Sequence, residues 1–182
     1  MTIDLTLSVG EMDTVSSLLT GEVDPDGIDL TTVSEYPPTR HRRFARHQEF
    51  DAAELCLATY VSTLDRPEEY PFTAIPVFPN RKFRHAFLHK NADADVTEPK
   101  DLEGKAVGTQ SWQTTADVWL RGILQDHYDL DLTEVTWYRR RDDDVPTPLP
   151  ERFEIRQVPG EQGGDALEVP RDMQDMLFSG DL

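Results

Sequence analysis

Lys105-Ala-Val-Gly-Thr-Gln-Ser-Trp-Gln-Thr-Thr-Ala-Asp-Val-Trp-Leu-Arg-Gly-Ile-Leu-Gln-Asp126 decides the fold class. Its first five residues read as a short strand. Gln110 to Thr115 is a Ser/Thr-rich turn. Ala116 to Asp126 has helical spacing, with Val118, Leu120, Ile123 and Leu124 as the expected apolar face. Thr133-Glu-Val-Thr-Trp-Tyr138 then reads as a second strand. Strand, turn, helix and strand in that order make a βαβ unit, so the chain is expected to be α/β.

Upstream, Ile3 to Val9 alternates apolar and polar residues, as a half-buried strand does. Gly10 ends it, Met12 to Leu19 is expected to be helical, and Ile28 to Val33 is a further strand. Tyr36-Pro-Pro-Thr39 leads into a basic helix from Arg40 to Gln48, mostly on a solvated face, with room for one cation to reach a ligand cleft. Phe50 to Ala58 is expected to be a strand and Val61 to Leu64 a helical turn. Ala74 to Phe78 is expected to be a buried strand, and Ala86 to His89 another. Downstream, Phe153 to Val158 reads as a strand, Gly160 to Asp165 as a loop and Val169 to Phe178 as a helix with Pro170 near its start.

The 182 residues suffice for one core or two small lobes. The net charge is −17, from 35 acidic and 18 basic residues, of which only four are lysines. Such an excess of acid argues against nucleic acid and anionic membrane as partners. It suits a protein kept soluble in concentrated salt; an ordinary acidic cytosolic protein is the plain alternative. The lone Cys56 permits no internal disulfide and reads as a small buried hydrophobe. The first residues lack the basic and apolar regions of a signal peptide, and no stretch is long enough to span a bilayer. The expected location is the cytoplasm.

Arg81, Lys82, Arg84 and His85 fall within five residues of one another in this acidic chain. Arginine suits bidentate carboxylate binding, and histidine can exchange a proton near neutral pH. In an extended segment Arg81 and His85 would share one face and Arg84 would lie on the other. The plain alternatives are a structural histidine and solvated cations.

Four stretches carry a resemblance: Arg43 to Tyr60, Ala74 to His85, Asp101-Leu-Glu-Gly-Lys-Ala-Val-Gly108, and Thr114 to Leu124. They resemble the 4,5-dihydroxyphthalate decarboxylase family, within the type II periplasmic-binding-protein-like fold. The resemblance implies two lobes with mixed sheets, over residues 1–90 and 91–182. Family members are longer, so it also implies an N-terminal part that lacks the closing strand of the second lobe. The implied function is a carboxy-lyase acting on a dihydroxylated aromatic dicarboxylate. The alternatives are a solute-binding module for a small anion and an inactive remnant. A second copy of the chain or a complementing C-terminal chain would then be the expected partner.

Such a reaction needs cations for the retained carboxylate, a proton donor at the ring carbon and a partner for the phenol. No redox cofactor is required by this logic. His85 and Glu54 are the catalytic expectations, with Arg81 and Arg84 for substrate carboxylates. Glu54 stands in an apolar run, where an acid is costly unless paired, unless it simply faces solvent. It is expected to orient an Arg or His of the cluster or to act as acid/base. Thr59 and Tyr60 follow it at the expected strand end, where Tyr60 faces the phenol or is simply half-buried. Ser111, Thr114 and Thr115 can grip a carboxylate at a helix N-terminus, or merely cap the helix. Trp112 covers the ligand or packs near the hinge. No metal site is expected: His85 and His89 in a strand lie roughly 13 Å apart, too far for one ion.

Overall fold

The computed structural model describes residues 2–158 and 171–182. The chain divides into two compact units, Met1–Lys82 and Phe83–Leu182. Both are α/β. The expected loop at 160–165 and the start of the helix expected at 169–178 lie outside the described residues.

The first unit is built on three parallel strands, β1 (Ile3–Ser8), β2 (Ile28–Val33) and β3 (Ala52–Ala53), in the order β2-β1-β3. The pairing of Ile3 with Ile28 and of Leu5 with Leu30 puts like residues side by side across β1 and β2. Helix α1 (Ser16–Leu19) links β1 to β2, and it is shorter than the expected Met12 to Leu19. Helix α2 (Pro37–His47) links β2 to β3. Pro37 and Pro38 occupy its first turn, where a missing N–H loses nothing. Gln48 ends it in the left-handed region at φ 51°, with its N–H bonded to the Phe44 carbonyl. Val9, Ala45, Phe50 and Tyr70 are buried, and Phe44 stacks on Phe72 at 4.6 Å.

Two expectations fail here. The strand expected from Phe50 to Ala58 pairs only at Ala52 and Ala53, and helix α3 (Leu57–Val61) follows directly. A short apolar run cannot be told from a helix by periodicity alone. The turn expected from Val61 to Leu64 follows this helix, with the Leu64 N–H donating to the Val61 carbonyl at 3.3 Å. The run from Ala74 to Phe78 is not a strand, and Ile75, Val77 and Phe78 are exposed. Pro76 and Pro79 remove two of the backbone donors that a central strand would need.

The second unit repeats the plan with β4 (Ala106–Thr109), β5 (Thr136–Arg139) and β6 (Glu154–Gln157), parallel and in that order. Mixed sheets were expected; among the described residues every strand pair is parallel. Helix α4 (Thr115–Tyr128) bridges β4 and β5. Its core contacts are Leu124, Leu130, Leu132, Val135 and Trp137, backed by Leu102, Val107, Trp112, Phe153 and Ile155. Val118, expected to face this core, is exposed. Helix α5 (Arg171–Ser179) ends the chain, and Met173 and Leu182 lie over Gly108 of β4. The strand expected over Ala86 to His89 is a 3-10 turn, Arg84–Phe87. Among the described residues no helix is long and apolar enough to cross a membrane.

Candidate functional site

Parallel strands all end on one side of their sheet, and open α/β sheets bind ligands at those carboxyl ends. In the first unit the ends of all three strands line a cleft of about 410 Å³. Gly10, Glu11 and Met12 follow β1, while Ser34, Glu35, Tyr36 and Pro37 follow β2. Glu54 follows β3, and its N–H donates to the Ser8 carbonyl at 2.9 Å. Asn80 and Lys82 complete the wall, and the neighbouring Pro79 carbonyl accepts from Thr14 Oγ1 at 3.2 Å.

The floor of this cleft is an ion pair. Arg40, in the first turn of α2, has a side chain with no exposed surface. Its Nη2 donates to Glu54 Oε2 at 2.5 Å and its Nη1 to the Glu35 carbonyl at 2.7 Å. Its Nε is buried without a hydrogen-bond partner among the described residues. Burial lowers the Arg40 pKa, against the opposing pull of Glu54 and Glu35. Glu54 also accepts from the Gly10 N–H, at 3.4 Å. A Cβ on Gly10 would stand 3.5 Å from both Arg40 Nη2 and Glu54 Oε2, in ordinary van der Waals contact. Glu35 is held by Arg43, which also reaches Glu49. Lys82 is exposed, and among the described residues it pairs with no carboxylate.

Glu54 is therefore paired, but with Arg40 of α2 instead of a cation of the 81–85 segment. Arg40 of the basic helix lines the cleft, but its side chain has no exposed surface. Thr59 and Tyr60, expected at a strand end, stand on α3. Thr59 is buried, and the Tyr60 hydroxyl accepts from the Ala74 N–H at 3.4 Å; neither lines the cleft. Arg81 is exposed. Arg84 and His85 belong to the second unit, in a 3-10 turn that abolishes the alternation of faces expected for an extended segment. Arg84 lies over the Phe87 ring at 5.4 Å, and His85 is exposed. His89 lies beyond this turn, and among the described residues no group of three or more His, Cys, Asp or Glu gathers as a metal site.

In the second unit the turn after β4 is occupied by its own network. Ser111, 2 % exposed, shares a 2.9 Å hydrogen bond with Thr114, the N-cap residue of α4. Asp117, in the first turn of α4, lies beside Thr109, Ser111 and Thr114, which draw its carboxyl pKa down against burial, and its Oδ2 is buried with no hydrogen-bond partner among the described residues. An internal carboxylate thus occupies the helix N-terminus at which a ligand carboxylate was expected. Thr115 is half-buried at the first helical position. Burial pushes the Asp117 and Asp143 carboxyls above their ordinary range and brings Arg121 down to about 10. The Gln113 N–H donates to Asp143 at 2.7 Å, and its side-chain amide donates to the Val145 carbonyl at 2.7 Å. Trp112 is a core residue of this unit. It meets Trp137 edge-on at 5.9 Å and Phe153 at 5.3 Å, with Arg121 3.7 Å over its ring.

Sequence reasoning missed Gly10 and Ser34 and named Arg40 only as part of a basic helix. The one available signal was position: each follows a strand end or opens the helix after Pro37-Pro38.

No family model matches the chain. Two curated relatives do. Over 182 residues, 99 % of the chain, it is 31 % identical to a 4,5-dihydroxyphthalate decarboxylase of Comamonas testosteroni, covering 53 % of that protein. The chain is homologous to 4,5-dihydroxyphthalate decarboxylases and matches about half of each. A second decarboxylase of that name, from Pseudomonas putida, is 35 % identical over 137 residues, which are 75 % of the chain and 53 % of the relative. The chain spans about half the length of the curated decarboxylases it matches. The match to the Comamonas decarboxylase runs across both units, so the cleft at Arg40 and Glu54 lies within the shared half.

Proposed function

We propose that this chain serves a carboxy-lyase acting on a dihydroxylated aromatic dicarboxylate such as 4,5-dihydroxyphthalate. The observation that carries the reading is the match of 99 % of the chain to a relative named for that activity. The finer architecture we propose is type II periplasmic-binding-protein-like. The order β2-β1-β3, with β1 central between two crossovers, and a second small parallel sheet support it. The acid excess supports a protein adapted to concentrated salt.

The chemistry follows from the substrate. Removing a carboxylate from an aromatic ring leaves an electron pair on carbon unless that carbon is protonated first. A hydroxyl para to it relieves this: once deprotonated, it pushes electron density to the carbon, which takes a proton. The carbon–carboxylate bond then breaks, carbon dioxide leaves and the bonding pair restores the aromatic ring. The net change consumes one proton and no electrons. In the first unit Glu54 is a carboxylate held in the cleft by Arg40, placed to take a hydroxyl proton. Lys82 on the cleft wall and its exposed neighbour Arg81 supply positive charge for carboxylates.

The test is to incubate the chain in molar potassium chloride with 4,5-dihydroxyphthalate and to follow 3,4-dihydroxybenzoate by chromatography. Product formation above the protein-free control is expected. Tight binding of the substrate with no product would favour a solute-binding module and refute the lyase reading for this chain.

A further inference from the structure

The cleft of the first unit has an unusual balance of groups for a protein that handles a dicarboxylate. Of its ionisable lining residues, Glu11, Glu35 and Glu54 are acidic, and only Arg40 and Lys82 are basic. Arg40 cannot meet a ligand, because its side chain has no exposed surface. Its terminal nitrogens are committed to Glu54 and the Glu35 carbonyl. What the floor offers is Glu54, whose side chain is 12 % exposed.

Glu54 presents a carboxylate paired with Arg40, and a carboxylate accepts hydrogen bonds but donates none. Its Oε2 takes both the Arg40 and the Gly10 bonds. Its Oε1 has no hydrogen-bond partner among the described residues. A ligand carboxylate placed there would meet a like charge with no donor between them. A hydroxyl placed there would donate.

We infer that the Glu54 end of this cleft is a subsite for the hydroxylated edge of an aromatic ring, with Glu54 as acceptor and the ring's carboxylates directed away from it, toward Lys82. The inference rests on the carboxy-lyase reading and deepens it by orienting the substrate. Vicinal hydroxyls suit the subsite, since the Glu11 carboxylate, which accepts from Ser34 Oγ at 3.3 Å, is a further acceptor on the same wall. In the reaction the phenolic O–H bond breaks and its proton passes to Glu54. The electron pair stays on oxygen and is delocalised to the para carbon, which takes a proton from solvent; its bond to the carboxylate then breaks and the bonding pair restores the aromatic ring. After carbon dioxide has left, Glu54 returns the proton to the product's phenolate. Arg40 acts through Glu54 as a positioning residue, fixing its carboxyl group through the bond to Oε2.

The experiment compares ligands of equal charge that differ at the hydroxyls. Titration calorimetry of the whole chain with 4,5-dihydroxyphthalate, 4,5-dimethoxyphthalate and phthalate is expected to show at least tenfold tighter binding of the dihydroxy compound. A red shift of its absorption on binding would report a phenol giving up its proton. Glu54→Gln keeps the size of the side chain and an acceptor for Arg40; it is expected to abolish the red shift and cut the preference below threefold. Lys82→Met is expected to weaken all three ligands alike. Equal binding of the dimethoxy and dihydroxy compounds by the unmutated chain would overturn the orientation and leave the carboxy-lyase reading standing. Failure of all three to bind would remove both. The comparison in the unmutated chain stands on its own if Glu54→Gln does not fold.

Discussion

Replacing Arg40 by methionine is the sharpest perturbation of the first unit. The guanidinium has no exposed surface and donates to Glu54 at 2.5 Å and to the Glu35 carbonyl at 2.7 Å. Methionine fills much of the space but leaves Glu54 with one long bond, from Gly10 at 3.4 Å. Removing one partner of a buried pair typically costs about 3–5 kcal/mol. Glu54 keeps some contact with water, which places the expected loss near the lower figure, about 3 kcal/mol. The converse change, Glu54→Gln, leaves Arg40 a neutral acceptor and is expected to cost about 1–2 kcal/mol. In the double variant the stranded charge is gone, so the two losses should not add, and a coupling of about 2 kcal/mol is expected. All three tryptophans, Trp112, Trp119 and Trp137, lie in the second unit, so their fluorescence reports that unit. Amide hydrogen exchange at Leu5 and Leu7 of β1 reports the first. A loss of about 3 kcal/mol should speed exchange there roughly 150-fold and leave the tryptophan transition in place. Acceleration below about fivefold, or strictly additive losses in the double variant, would refute the buried-pair argument.

Three further outcomes follow from the same geometry. Trp112→Ala should destabilise the second unit by about 3–5 kcal/mol, because the ring packs on Trp137, Phe153 and Arg121; urea unfolding followed by the remaining tryptophans checks it, and a loss below about 1 kcal/mol would contradict a core role. The Asp117 carboxyl binds its proton more tightly folded than unfolded, so its contribution to stability falls as pH rises from about 4 to its raised folded value and is flat above that; in Asp117→Asn this part of the slope should vanish, and an unchanged slope would count against burial as the cause. With a net charge of −17, the melting temperature should rise steeply between about 0.05 and 1 M potassium chloride as repulsion is screened, and a flat response would remove the salt-adaptation reading.

The elements that were legible were those whose local pattern matched their surroundings. Ile28 to Val33 and the βαβ unit around α4 were found because alternation and helical spacing are properties of the residues themselves. Leu55 to Ala58 was misread because four small or apolar residues fit either state; Leu55 and Cys56 lie in no element and Leu57 and Ala58 open α3. Ala74 to Phe78 was misread because hydrophobicity was weighed over its prolines. For the site, Glu54 stood out as an acid in an apolar run. Its partner did not, because Arg40 lies fourteen residues away on another element. The cleft itself is assembled from the ends of three strands, which no single stretch of sequence displays. The 81–85 cluster, dense in the sequence, falls on the boundary after Lys82, with Arg81 and Lys82 in one unit and Arg84 and His85 in the other.

The most direct test of the central claim uses 4,5-dihydroxyphthalate labelled with carbon-13 in both carboxyl groups, in molar potassium chloride, followed by carbon-13 NMR. One label per substrate molecule should appear as carbon dioxide and bicarbonate and the other should remain on 3,4-dihydroxybenzoate. The rate should fall at least a hundredfold in Glu54→Gln. Release of label at the same rate in Glu54→Gln, or no release from a folded chain that binds the substrate, would contradict the account.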